Sequence, residues 1–176
     1  MTPPAGAAAG RPAQRTRFDG AAGPAVAPRL DTVLSGAREP GVYRWLSRAH
    51  PEPVRRELSA ADWTSHLLDG RGLTGATEVL DRHAEQLSFP GWFRHTWDGF
   101  ADCLADLSWL PGRGHLLLWE RYGVLARTDP TAWAVTYRSL VAATRSRRVA
   151  GLPPLYVLLR GPGPVTDPEG APIPVL

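Results

Sequence analysis

Three short runs constrain the fold of this chain more than any other feature. They are Trp63-Thr64-Ser65-His66-Leu67-Leu68, His115-Leu116-Leu117-Leu118-Trp119 and Leu155-Tyr156-Val157-Leu158-Leu159. A strand with one wet face alternates apolar and polar residues, but the second and third runs are apolar throughout and need cover on both faces. Between the runs the period changes to that of a helix. Leu73, Ala76, Val79, Leu80, His83 and Leu87 recur at spacings of three and four, which predicts a helix from Thr74 to Leu87. Phe100, Cys103, Leu104 and Leu107 predict a second from Trp97 to Leu107. Trp133, Tyr137, Leu140, Val141 and Thr144 predict a third, opened by Asp129 as cap and Pro130 at the first position and running to about Arg148. The order strand, helix, helix, strand, helix, strand predicts an α/β fold: a small three-stranded parallel sheet with right-handed crossovers, packed against helices.

That unit occupies residues 62–160 of a 176-residue chain. Residues 1–28 are Ala, Gly, Pro and Arg with almost no large apolar side chains, and read as a disordered tail. Residues 29–61 read as an extension of ambiguous structure. Within it Gly41 to Leu46 alternates well enough for a strand, and Val54 to Leu58 is a short helix candidate after Pro51 and Pro53. Residues 161–176, with their prolines and turn signals, read as an irregular tail. No run approaches the 18 apolar residues of a membrane span, and the N-terminus lacks the pattern of a secretory signal. The single cysteine, Cys103, excludes a disulfide framework and fits a reducing cytoplasm.

The formal charge is +3, and all twenty basic residues are arginine. Nine of them fall between residues 11 and 56, while the signs nearly balance from 60 to 160. No basic stripe of the kind that reads nucleic acid emerges. Arg145, Arg147 and Arg148 are the one dense cluster, at a helix end where they complement the helix dipole.

The sharpest local feature runs from Phe89 to Leu104. Aromatics crowd a short polar loop, which leads into a helix bearing Asp98, Asp102 and Asp106 at spacings of four. No arginine intervenes between Arg94 and Arg113. Like charges at this spacing repel mildly, and only Asp98 sits where the helix dipole favours a carboxylate. The bland reading is a solvated helix face; the sharper one is an acidic ridge made for a basic cleft on a partner. Carboxylates on adjacent turns leave little room for a substrate between them, which argues against acid–base catalysis. His95 and His115 with these aspartates match no metal-ligand spacing. Cys103 lies on the apolar stripe, and Ser88 and Ser108 have no nucleophile-elbow setting. His66 and His83 read as structural histidines. Gly70-Arg71-Gly72 and Gly161-Pro162-Gly163 do not complete phosphate loops. Neither an enzyme nor a cofactor site is expected.

The combination Phe89-Pro90, Trp92-Phe93, Trp97-Asp98-Gly99-Phe100 and Asp102-Cys103-Leu104 resembles the barstar family, over about residues 62–160. The resemblance implies a small parallel sheet packed against helices, and a protein held in the bacterial cytoplasm for self-protection. In that family the acidic helix and the loop before it enter the active site of a basic, extracellular or toxin-type ribonuclease. Carried over, Asp98 and Asp102 take the two acidic positions, with Asp102 the principal anchor. Trp92 matches the interfacial loop aromatic, and Trp97, Ala101, Ala105, Asp106 and Leu107 lie on or beside the contact face. The implied partner is a protein, with no direct nucleic acid, membrane, metal or cofactor, and the free chain is a monomer. Arg94 and Thr96 stand where family members usually carry Gly and Asn, Ala101 is small, and the third helix contains no acid. These departures suit an alternative, a barstar-fold interaction module or regulator with a non-nuclease partner.

Overall fold

The computed structural model describes residues 29–176, so the tail expected at 1–28 lies outside the described residues. The elements are α1 (Leu30–Leu34), β1 (Val42–Arg44), α2 (Pro51–Ala60), β2 (Thr64–Asp69), a 3-10 turn (Gly70–Gly72), α3 (Ala76–Gln86), α4 (Trp97–Asp106), β3 (His115–Glu120), α5 (Gly123–Thr128), α6 (Pro130–Val149) and β4 (Leu155–Arg160).

The sheet has four strands, all parallel, in the order β1-β4-β3-β2. This corrects the expectation of three. The fourth strand comes from residues 29–61: Val42, Tyr43 and Arg44 pair with Val157, Leu158 and Leu159. It falls within Gly41 to Leu46, whose alternation suits a strand, but only Val42 to Arg44 pair with β4, which completes it. Its place explains the composition of β4. With β1 on one side and β3 on the other, β4 is interior, and Leu155 to Leu159 are all buried. The outer edge of β1 is met in turn by residues 174–176. Arg44 donates its N–H to the Pro174 carbonyl at 2.8 Å and accepts one from Leu176 at 3.0 Å. Ile173 and Leu176 are buried there.

The strand order also dictates the layers. The chain crosses from β1 at one edge to β2 at the other, then returns through β3 to β4. Right-handed crossovers in opposite directions place their helices on opposite faces. Accordingly Val54 and Leu58 of α2, with Leu30 and Val33 of α1, pack on Leu116, Leu118, Tyr156 and Leu158. On the other face Leu68, Leu117, Trp119, Val157 and Leu159 meet Val79, Leu80, Phe100, Leu104, Trp133 and Leu140 of α3, α4 and α6. The runs that are apolar at every position are therefore covered on both sides, as their composition requires.

The helix ends follow their local chemistry. Asp129 accepts the Ala132 N–H at 2.9 Å and caps α6, with Pro130 in its first turn. His50 caps α2 in the same way through its ring nitrogen. Gly70 turns the chain after β2 against the next strand's exit: a Cβ there would lie 2.6 Å from the Glu120 carbonyl oxygen. It is a glycine of close packing.

Candidate protein-binding surface

The loop from Ser88 to Thr96 is built on its own aromatic floor. Phe93 is buried, with the Phe89 ring edge-on to it at 5.0 Å. Phe89 in turn lies 6.1 Å from both Phe100 and Trp109. The Trp109 indole donates to the Leu87 carbonyl at 2.9 Å, tying the loop's start to the segment after α4. Trp92 stands on this floor, edge-on to Trp109, yet is 56% exposed. The loop's end is fixed as well. His95, at a positive φ of 52°, lays its ring on Phe93 and sets Nδ1 2.7 Å from a carboxylate oxygen of Asp81 on α3. Thr96 then accepts the Gly99 N–H at 3.1 Å and starts α4.

On α4, Phe100, Cys103 and Leu104 point into the core, while Asp98, Asp102 and Asp106 are exposed. Among the described residues no side chain pairs with Asp98 or Asp102. The Asp106 carboxylate accepts the Ser108 N–H at 3.3 Å and also interacts electrostatically with Arg147. The ridge is thus a row of three carboxylates in solvent, with Trp92 on the loop before them and Ala101 and Ala105 partly buried between them. Trp97 is half-buried with its ring 5.8 Å from Phe100. Leu107 is 1% exposed and belongs to the core beneath the surface; it ends α4 with a left-handed backbone. The structure therefore brings Asp98, Asp102, Asp106, Trp92, Trp97, Ala101 and Ala105 to one region, with Leu107 below. Arg94 is also exposed on the loop and has no ion pair or hydrogen bond from its guanidinium among the described residues.

Beneath the ridge lies Arg147, 1% exposed. Its guanidinium donates to the carbonyls of Ala105 at 3.0 Å and of Asp106, the last residues of α4, and to Pro153 at 2.8 and 3.0 Å. The arginine cluster at the end of α6 was expected to complement its own helix dipole. This member instead closes the unpaired carbonyls of α4. A signal was present: Arg147 continues the buried stripe of Leu140 and Thr144 at a spacing of three. Its role, like those of Asp81 and Trp109, rests on contacts between distant segments and cannot be read from periodicity.

The reactive side chains near the ridge are quiet. Burial, with the charges of Asp102 and Asp106, pushes the Cys103 thiol up, which disfavours the thiolate a nucleophile needs. His83 is buried, hydrogen-bonded at 2.8 Å to the Val79 carbonyl, and packed edge-on against Phe100 and Trp119; burial holds it neutral with a pKa of about 4. His115 is depressed to about 4 by burial and then by Arg147 and His66. His66 is lowered by burial and bonded to the Gln86 carbonyl at 2.8 Å. Among the described residues no helix is long and apolar enough to cross a membrane.

An exposed acidic helix after an aromatic loop, on a parallel sheet, is the arrangement the sequence suggested. The chain matches the family Barstar (barnase inhibitor) over residues 63–158, more than half its length. It belongs to the barstar family. Among solved structures this barstar-family chain is similar to the Aeropyrum pernix ORC2 protein (ADPNP-ADP complexes), with a TM-score of 0.52 and 16% identity. The likeness covers 74% of this chain but only 37% of that protein, and at this identity it shows a shared α/β fold alone. No curated protein matches the chain.

Proposed function

We propose that this barstar-family protein is an inhibitor, not an enzyme, and that it binds and blocks the active site of a basic bacterial ribonuclease through α4 and the loop before it. The observation that carries the reading is the unpaired state of Asp98 and Asp102. Two carboxylates one turn apart, without a paired cation among the described residues, suit the basic groove of an enzyme that binds RNA phosphates. Asp102 is the principal anchor, Asp98 its neighbour, and Trp92 the apolar contact beside them. The rigid aromatic floor lowers the ordering cost of docking. Protection of the producing cell places the inhibitor in the cytoplasm, which suits its single thiol.

A second reading is a barstar-fold regulator with a non-nuclease partner. Exposed Arg94 and the lack of any acid on α6 favour it. One experiment separates the two. Wild-type chain and the Asp98→Ala/Asp102→Ala variant are used side by side to capture partners from a lysate of the organism that encodes them. The first reading expects ribonuclease activity in the wild-type eluate only, silenced by adding back the chain. A partner retained without nuclease activity selects the second reading.

A further inference from the structure

Among the described residues Arg94 is an exposed cation on the loop that leads into the acidic helix, with no ion pair or hydrogen bond from its guanidinium. Asp81, a carboxylate of the neighbouring helix that reaches this loop, is taken by His95 at 2.7 Å. Asp98 and Asp102 are exposed on α4, and among the described residues no cation pairs with them. The loop has little freedom to move Arg94 aside. Phe93 is buried immediately before it, His95 is held by Asp81 and Phe93 immediately after it, and Thr96 caps α4. A partner that covers Trp92 and Asp98 must therefore also meet the Arg94 guanidinium.

We propose that Arg94 is a specificity-determining residue: it selects a partner that carries a carboxylate beside its basic groove, and it weakens binding to a groove that is basic throughout. This rests on the reading that α4 docks into such a groove. Discrimination of this kind works by repulsion as much as by attraction, since like charges brought together at an interface penalise the wrong partner. Arginine suits the role because its planar fork takes a carboxylate in bidentate fashion.

The test uses barnase as the probe, since an enzyme groove lined by basic residues is the case Arg94 should penalise. Dissociation constants are measured for wild type, Arg94→Gln and Arg94→Glu at about 50 and 500 mM salt, with a melting curve for each to verify folding. The expected order of affinity is Glu tightest, Gln next and wild type weakest. Each step is about tenfold at low salt and shrinks at high salt, because exposed charges are screened. Arg94→Glu binding no more tightly than wild type, or no variant binding at all, overturns the proposal. Gln and Glu binding alike, independent of salt, overturns it too, since loss of bulk would then explain the gain. Adding Asp102→Ala to Arg94→Glu separates this idea from the docking reading. If the gain from Arg94→Glu survives but Asp102→Ala costs nothing, Asp102 is not the anchor, while docking through this face and the role of Arg94 stand. If Asp102→Ala weakens wild type while Arg94→Glu changes nothing, the reverse holds.

Discussion

Arg147 of α6 and Ala105 of α4 are joined by a 3.0 Å hydrogen bond from a buried guanidinium to a main-chain carbonyl. The same guanidinium reaches Asp106 and Pro153, so it ties the end of the acidic helix to the entry of β4. Removing it leaves the part-buried carbonyls of Ala105, Asp106 and Pro153 without this donor. Arg147→Leu is expected to lower stability by about 3 kcal/mol, and Arg147→Lys, which lacks the fork, by about 2 kcal/mol. Urea unfolding measures both; a loss below about 0.5 kcal/mol in either would show that the clamp contributes nothing.

Trp92 is exposed and sits on the aromatic floor by one edge only. Its truncation should leave folding almost intact. Trp92→Ala is expected to shift stability by under about 1 kcal/mol and to weaken partner binding by about 2 kcal/mol, the range of aromatic anchors. Titration calorimetry beside a thermal melt reads the two effects separately.

The buried histidines set a pH limit. His83 and His115 have folded pKa values of about 4, below the unfolded value near 6.5. The unfolded chain therefore binds more protons between those values. Stability is fully present above pH 6.5 and is lost as pH falls toward 4, on the order of 3 kcal/mol per histidine. Unfolding measured at pH 7.5, 5.5 and 4.5 should show this decline. His83→Phe, which cannot be protonated, should decline less over the same window; an unchanged slope would remove His83 from the account.

Gly70 packs against the main chain of Glu120 and Arg121, where a methyl group would come within 2.7 Å of both carbonyl oxygens. Backbone cannot yield as a side chain can. Gly70→Ala is expected to cost about 1–3 kcal/mol, against near neutrality for Gly72→Ala, whose Cβ would meet open space.

The sequence disclosed the elements whose own pattern is strong. β3 and β4 are apolar at every interior position, and α3, α4 and α6 carry long stripes with clear ends. The elements it left ambiguous or unread are short: β1 has three residues, α1 five and α5 six, fewer than two helical turns or strand periods. Such pieces form because a neighbour completes them, β1 by pairing to β4, and α1 by burying Leu30 and Val33 against the second sheet face. The candidate surface was legible because its acidic residues follow one helix with a spacing of four. Its supports were not: Arg147, Asp81 and Trp109 act across 42, 14 and 22 residues of sequence respectively.

The central claim is that Asp102 anchors a ribonuclease. Its most direct measurement is the dissociation constant of Asp102→Ala against that of Asp106→Ala, for the ribonuclease captured by the wild-type chain, with melting curves alongside. Both residues are exposed on the same helix, and the melting curves account for the Ser108 contact that Asp106→Ala removes. The account predicts at least about a 100-fold loss for Asp102→Ala and a loss under about tenfold for Asp106→Ala, a scale set in part by the barnase–barstar pair itself. Asp102→Ala binding within about twofold of wild type would contradict it.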